Sequence, residues 1–291
     1  MSVISQAVWG ALVTGSLYGL VGVGFVLLYR ASKVLSFTQG GFMLIGIYLF
    51  YGLITAGHVP FLLAALISAV VVAIVSALVY VAVFSRVAAR EPFTTSVATL
   101  GLAGVITAVI AIIFGTSPVT VPNVAGSAAF SLAGATVTAA DLVSVAIMVV
   151  VVAAIIVILR TTPLGLRMKA VADNPSLSVH LGVSASRVAT AAWAMAGLTA
   201  ALGGVAFALR ESVDPTGVAT LGFYAFPAII LGGLDSVPGA IGGGLILGVL
   251  QGAASFLFGA DWIDLVSFGV MLVFLLVRPT GLFGRAEVQR L

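Results

Sequence analysis

Few residues in this chain of 291 amino acids could do bond chemistry, and their spacing gathers no reactive set. There is no cysteine, which excludes disulfides, thiol catalysis and cysteine-ligated metal. The two histidines, His58 and His180, belong to no His-Glu-x-x-His run, and neither lies inside a long apolar segment where it could activate a buried serine. The lysines Lys33 and Lys169 are followed by Val34 and Ala170, so the Gly-Lys-Ser/Thr end of a phosphate-binding loop is missing. Any ATP used is therefore expected on another chain, and no cofactor or metal is expected on this one. What remains is polar side chains within apolar runs. Thr14, Ser16 and Tyr18 in the first run, with Ser36, Thr38, Gln39, Gly40 and Gly41 at the start of the second, are the candidates for lining a polar route. The alternative is that each hydrogen-bonds or packs against a neighbouring helix, the commoner use of small and hydroxyl residues in membranes.

The elements that must position these residues are membrane helices. The chain is 62% hydrophobic and only 7% charged, against about 25% charged in an ordinary soluble domain. A helix needs about 20 apolar residues to cross a bilayer. Apolar segments fall at 7–29, 34–56, 61–85, 93–114, 141–159, 190–209, 221–234, 239–258 and 261–277. The expectation is a single all-α polytopic membrane domain over 1–291 with about eight or nine spans, some broken or re-entrant. The run 221–234 is short and carries Pro227, so it is the candidate for a broken or re-entrant segment, while the charge pattern, which would be inverted downstream if it did not cross, favours a crossing there. Residues 1–6 lack the basic stretch of a signal peptide, so the first run is expected to stay in the protein as a helix.

The twelve basic residues are scattered singly, which excludes a nucleic-acid patch and instead encodes orientation. With nine crossings, Arg30, Lys33, Arg86, Arg90, Arg160, Arg167, Lys169, Arg187, Arg278, Arg285 and Arg290 share one face, and Arg210 alone takes the other. The positive-inside rule makes the first face cytoplasmic, with the N-terminus outside and the C-terminus inside. The long connection 115–140 is then external and reads as a flexible or docking loop, and 160–189 is cytoplasmic. No Asp, Glu, Lys, Arg or His lies in the middle third of a segment, which counts against a proton-coupled transporter. Asp141, Glu211, Asp214, Asp261 and Asp264 fall near outer ends, where helix caps or docking contacts account for them.

Within the cytoplasmic loop, Asn174 is placed to cap, Pro175 suits a first helical position and Gly182 suits a left-handed terminus. A short helix over 175–181 is expected, with Leu177 and Leu181 on one face flanked by Ser176, Ser178 and His180. Such a ridge either tucks against the ends of its own helices or docks on a cytoplasmic protein. A second Gly-rich break, with Gly232, Gly233, Asp235, Ser236, Pro238 and Gly239, begins a helix in the same direction as the one after Ser36, a hint of an internal repeat.

The run Pro163-Leu164-Gly165-Leu166-Arg167-Met168-Lys169-Ala170-Val171-Ala172-Asp173-Asn174-Pro175, ending in Leu181-Gly182-Val183, resembles the cytoplasmic loop of the permeases of branched-chain amino acid ABC importers, the LivH type. Further blocks follow the same order: Gly15-Ser16-Leu17-Tyr18-Gly19-Leu20, Leu35 to Met43, Gly232 to Ala240, and Arg278 to Gly284. The segment Ser36-Phe37-Thr38-Gln39-Gly40 departs from the Asn-Phe-Ala-His/Gln-Gly more usual there. The resemblance implies a bacterial cytoplasmic (inner) membrane permease in which the 175–181 helix couples to ATPase subunits that hold ATP and Mg. It also implies a second homologous permease subunit or a copy of itself, an external solute-binding protein, and alternating access for branched-chain or related amino acids. Because the family extends to urea and short amides, a passive channel or permease for such a neutral solute is the alternative.

Overall fold

The computed structural model describes residues 2–284 apart from 88–91, 123–125, 127 and 133. Arg90, Arg285, Arg290 and part of the 115–140 connection therefore lie outside the described residues. The chain is an all-α polytopic membrane protein, and each of the nine expected apolar segments forms a helix. These are α1 (Ser2–Ser32), α2 (Gln39–Thr55), α3 (Phe61–Val79) running through a π turn (Tyr80–Phe84) into α4 (Ser85–Val87), α5 (Pro92–Phe114), α6 (Ala139–Thr161), α9 (Ala185–Ala208), α10 (Pro215–Gly232), α11 (Val237–Phe258) and α12 (Trp262–Val277). Two short helices, α7 (Pro163–Asp173) and α8 (Pro175–His180), fill the connection between α6 and α9.

Burial follows the rules of a bundle in lipid. Helix α1 is almost wholly buried from Ala11 onward, whereas α5 turns most of its Leu, Ile and Val outward and α6 buries only a few of its own. Lipid solvates those side chains as well as protein does, so the interior is built from small residues that let backbones touch. The main seam is α1 against α11. A Cβ added at Gly15 would stand 2.8 Å from the Gly244 carbonyl oxygen, and one at Gly248 would stand 2.5 Å from the Gly15 Cα. Gly244, Gly248 and Gly252 recur every fourth residue and present one face to α1. A second centre is aromatic: Trp193 on α9 stacks on Phe84 at 4.8 Å and also meets Tyr80 and Phe42. The π turn supplies both Tyr80 and Phe84, and Ser76 donates to the Trp193 carbonyl oxygen.

The break in helix does not fall at Pro227. Helix α10 runs unbroken through that residue to Gly232, although proline lacks the N–H that would bond the carbonyl of Phe223. An irregular stretch lies at 33–38, before α2, where Ser36 and Thr38, like Gln39 at the start of α2, are completely or almost completely buried. Phe37 there donates its N–H to the Thr99 hydroxyl of α5 and packs on Phe223 and Phe226 of α10. Irregular backbone is tolerated at membrane depth only when protein covers it, and here α1, α5, α9 and α10 do so.

The connection before α6 is also more ordered than a flexible loop. Strands β1 (Ala129–Leu132) and β2 (Ala135–Thr138) form an antiparallel hairpin, and the Gln6 side chain of α1 accepts from the Thr136 N–H at 2.7 Å and donates to its carbonyl. Val119 pairs with Val213 as an isolated bridge.

Candidate functional site

One end of the bundle gathers the basic residues. Arg30, Lys33, Arg160 and Lys169, with Asp173 and Asp235, line a cavity of about 610 Å³ where α1, α6, α7 and the start of α11 meet. Arg167 and Arg187 lie around a neighbouring cleft of about 180 Å³. The Gly232–Gly239 segment is a tight turn between α10 and α11 at this same end. Gly233 takes φ +111, and the Ser236 hydroxyl accepts from the Gly239 N–H at 3.0 Å. Arg30 donates to the Asp235 carbonyl, and the N–H groups of Leu282 and Phe283 fill the last carbonyls of α10, at Leu231 and Gly232.

At this end α8 spans Pro175–His180, one residue short of the expected 175–181, with Leu181 as its C-cap. The Asn174 side chain accepts from the Leu177 N–H at 2.9 Å, Pro175 opens the helix, and Gly182 turns out of it at φ +81. Ser178 is the side chain turned inward, bonding the Asn174 carbonyl. Leu177, Val179 and Leu181 are 55%, 57% and 74% exposed, and His180 is exposed beside them. The ridge therefore does not tuck against its own helices. Val179, two residues on from Leu177 and so on another side of α8, is exposed as well, as is Leu166 of α7. The sequence signal for α7 was present in Thr162-Pro163, an extended residue followed by proline at the first helical position. Met168 and Val171 bury the other face of α7, and Gly165 lies against the Leu159 backbone, so α7 packs directly between α8 and the ends of α1, α6 and α9.

The opposite end carries a second cavity, of about 300 Å³, which takes in Thr14 and Tyr18 of the predicted route. Arg210, Glu211 and Ser212 lie at it, and Leu17, Val21, Met43, Phe207 and Leu221 supply apolar wall. Ser16 points elsewhere, bonding the Val13 carbonyl of its own helix. Ser36 and Thr38 bond each other at 2.8 Å. Gly40 lies against the Ala219 backbone of α10 and Gly41 against Ile106 of α5, so both serve close packing. Gln39 is different: it is fully buried beside Gly24 and the Thr199 hydroxyl, and neither its amide nitrogen nor its oxygen has a partner. Buried amides are nearly always satisfied, which sets Gln39 apart from the other candidates for the route. Met43, one turn further along α2 on the same face, reaches the cavity.

The turn after α9 that holds Arg210 is fastened at nearly every residue. Arg210 and Glu211 both donate their N–H to the Phe207 carbonyl, Val213 pairs with Val119, and Asp214 caps α10. The Arg210 Nε lies 2.6 Å from the Asp141 carboxylate, which also accepts from Thr138 in a capping box at the start of α6. Sequence reasoning placed Asp141 and Asp214 as caps and did not foresee the ion pair, which joins residues 69 apart. Its available signal was that Arg210 is the lone basic residue on its face.

Hydrogen bonds from the Thr216 hydroxyl and the Gly217 N–H hold the Asp214 carboxyl below its ordinary pKa. A lowered folded-state pKa adds stability that is fully present above the unfolded value of 3.8 and is lost as pH falls through the folded one. Asp214→Ala is expected to cost about 1 kcal/mol at pH 7 through the lost cap. In melting curves between pH 6 and acid, the gap between wild type and variant should close only below the ordinary aspartate range.

Comparison with known proteins agrees with this arrangement. A permease protein for high-affinity branched-chain amino acid transport, BraD of Pseudomonas aeruginosa, is 26% identical over 98% of this chain and 97% of its own. LivH of Salmonella typhimurium, described in the same terms, is 28% identical over the same shares. The PsaBC structure from Streptococcus pneumoniae, solved with a Fab, has a TM-score of 0.50 at 12% identity over 93% of this chain and 91% of that one, a likeness of fold. Residues 8–275 match the family described as branched-chain amino acid transport system / permease component, and to that family of membrane permeases this chain belongs.

Proposed function

We propose that this chain is the membrane-spanning subunit of an ATP-driven importer for branched-chain or related amino acids in the cytoplasmic membrane. The basic end faces the cytoplasm, as the positive-inside rule requires. The observation that carries the reading is the exposed ridge of Leu177 and Leu181 on a helix capped at both ends and lying outside the spans. A passive channel has no use for an apolar ridge in water. An ATPase groove would bury it, with ATP and Mg held on the ATPase and a second permease subunit or another copy of this chain completing the pathway.

Transmission follows from the packing. Movement of α8 passes to α7, and α7 bears on α1, α6 and α9; of these, α1 and α9 flank Gln39 and line the cavity at Tyr18. Closure of the ATPases on ATP would tilt these helices together and exchange access between the two faces. An external solute-binding protein delivers the cargo at the Arg210 end. This chain's work is conformational, with no bond made or broken on it.

The test is to tag the chain, extract it gently from its own membranes and identify what accompanies it. Recovery of an ATPase with a phosphate-binding loop, together with ATP-dependent leucine uptake by vesicles holding the complex and its binding protein, supports the importer. A homo-oligomer without ATPase that passes urea or a short amide in the absence of ATP overturns it.

A further inference from the structure

We infer that the cavity at Arg210 is a receiving site for one zwitterionic amino acid with an aliphatic side chain, Arg210 holding its carboxylate and Glu211 its ammonium. The inference rests on the importer reading and names the cargo contact within it.

Three observations converge. The first is charge placement: Arg210 is the lone basic residue set by sequence at the end opposite the other eleven, against the bias that orients the protein. The second is chemistry: a guanidinium has five N–H groups in a rigid fork, and the Nε–H is spent on Asp141, leaving four in a group that lines the cavity. Asp141 is itself fixed by Thr138, so the fork is held in position before any ligand arrives. Glu211, next in the chain and exposed, supplies the opposite charge, and both residues are tied by their N–H groups to the Phe207 carbonyl. The third is shape: the cavity of about 300 Å³ is at the small end of ligand pockets, and Leu17, Val21 and Phe207 offer an apolar wall beside the charged pair. A neutral amide or urea would leave the Glu211 charge unmatched, the outward guanidinium N–H groups without a carboxylate and the apolar wall unfilled. A free carboxylic acid or amine would match one charge only. An aliphatic amino acid satisfies all three features.

The complex purified from native membranes is tested with radiolabelled L-leucine in a direct binding assay, with 4-methylpentanoate, which lacks the amine, and 3-methylbutylamine, which lacks the carboxylate, as competitors. Leucine is expected to be retained and neither competitor to displace it at equal concentration. Glu211→Gln and Arg210→Gln should each weaken binding by about tenfold or more, since each removes a charged hydrogen-bonding partner. Glu211 is exposed, so its variant should melt as wild type does and still bring down its partners, which keeps the test independent of the Asp141 pair. No retention by wild type, displacement by either competitor as effectively as by leucine, or unchanged affinity in both variants overturns the inference. Loss of ATPase association or ATP dependence would instead sink the importer reading, whatever leucine binding shows.

Discussion

Leu177→Asp combined with Leu181→Asp is expected to abolish ATP-driven uptake while leaving the protein inserted and folded. Both side chains are more than half exposed, so the change removes no internal packing and places two carboxylates in water. In an ATPase groove the same two leucines would be buried, and anchors of that kind contribute about 2 kcal/mol each. Losing both weakens the contact by roughly a thousandfold, before any penalty for burying the introduced charges. Uptake into vesicles and co-purification of the ATPase are the paired readouts. Normal uptake by the double variant would show that the ridge is not the coupling contact. Loss of uptake with the ATPase still bound at wild-type affinity would show that the side chains act through something other than docking.

The second large effect is expected at the α1–α11 seam. Gly244→Ala with Gly248→Ala should lower the thermal stability of the detergent-solubilised protein steeply, by about 1–3 kcal/mol per site. The reason is geometric. The added Cβ at residue 244 would lie 2.7 Å from the Gly15 oxygen and the Gly19 Cα, and the one at 248 would lie 2.5 Å from the Gly15 Cα. These are backbone atoms of a fully packed helix and cannot rotate away. Gly52→Ala is the matched control, because its Cβ would meet nothing within 4 Å and alanine favours helix over glycine by about 0.5–1 kcal/mol. A melting temperature for the double variant equal to that of Gly52→Ala would show that α1 and α11 do not touch as described.

Much of the fold was legible in the sequence because a bilayer leaves few options. Among the described residues each of the nine apolar runs is helical, since unpaired backbone is not tolerated in lipid. The α8 helix was readable to its caps, because Asn174, Pro175 and Gly182 act through neighbours within three residues. Of the two readings open at Pro227, a break or a crossing, the helix follows the crossing that the charges favoured. Proline removes one hydrogen bond, which packing on α11, α2 and α12 overrides, whereas the chain at 33–38 gives up helix where its neighbours cover its backbone and bond Phe37 through Thr99.

The candidate route separates along the same line. Thr14 and Tyr18 line a cavity, Ser16, Ser36 and Thr38 satisfy one another or their own helix, and Gln39 is left buried without a partner. All of these residues sit in apolar runs, and hydropathy assigns them the same membership in the membrane. Lipid and protein interior are about equally apolar, so periodicity says that a helix is embedded without saying which neighbour it meets. By itself, then, the sequence determined the class of protein, its spans, its orientation bias and its local caps, all of which rest on composition or on contacts a few residues apart. Only the tertiary structure decided which glycines meet across α1 and α11, that the Asp141 carboxylate holds Arg210 from 69 positions away, and that Tyr18, Phe207 and Glu211 enclose one cavity. Those relations depend on how close two helices come, and that distance is set by the shape of both surfaces at once.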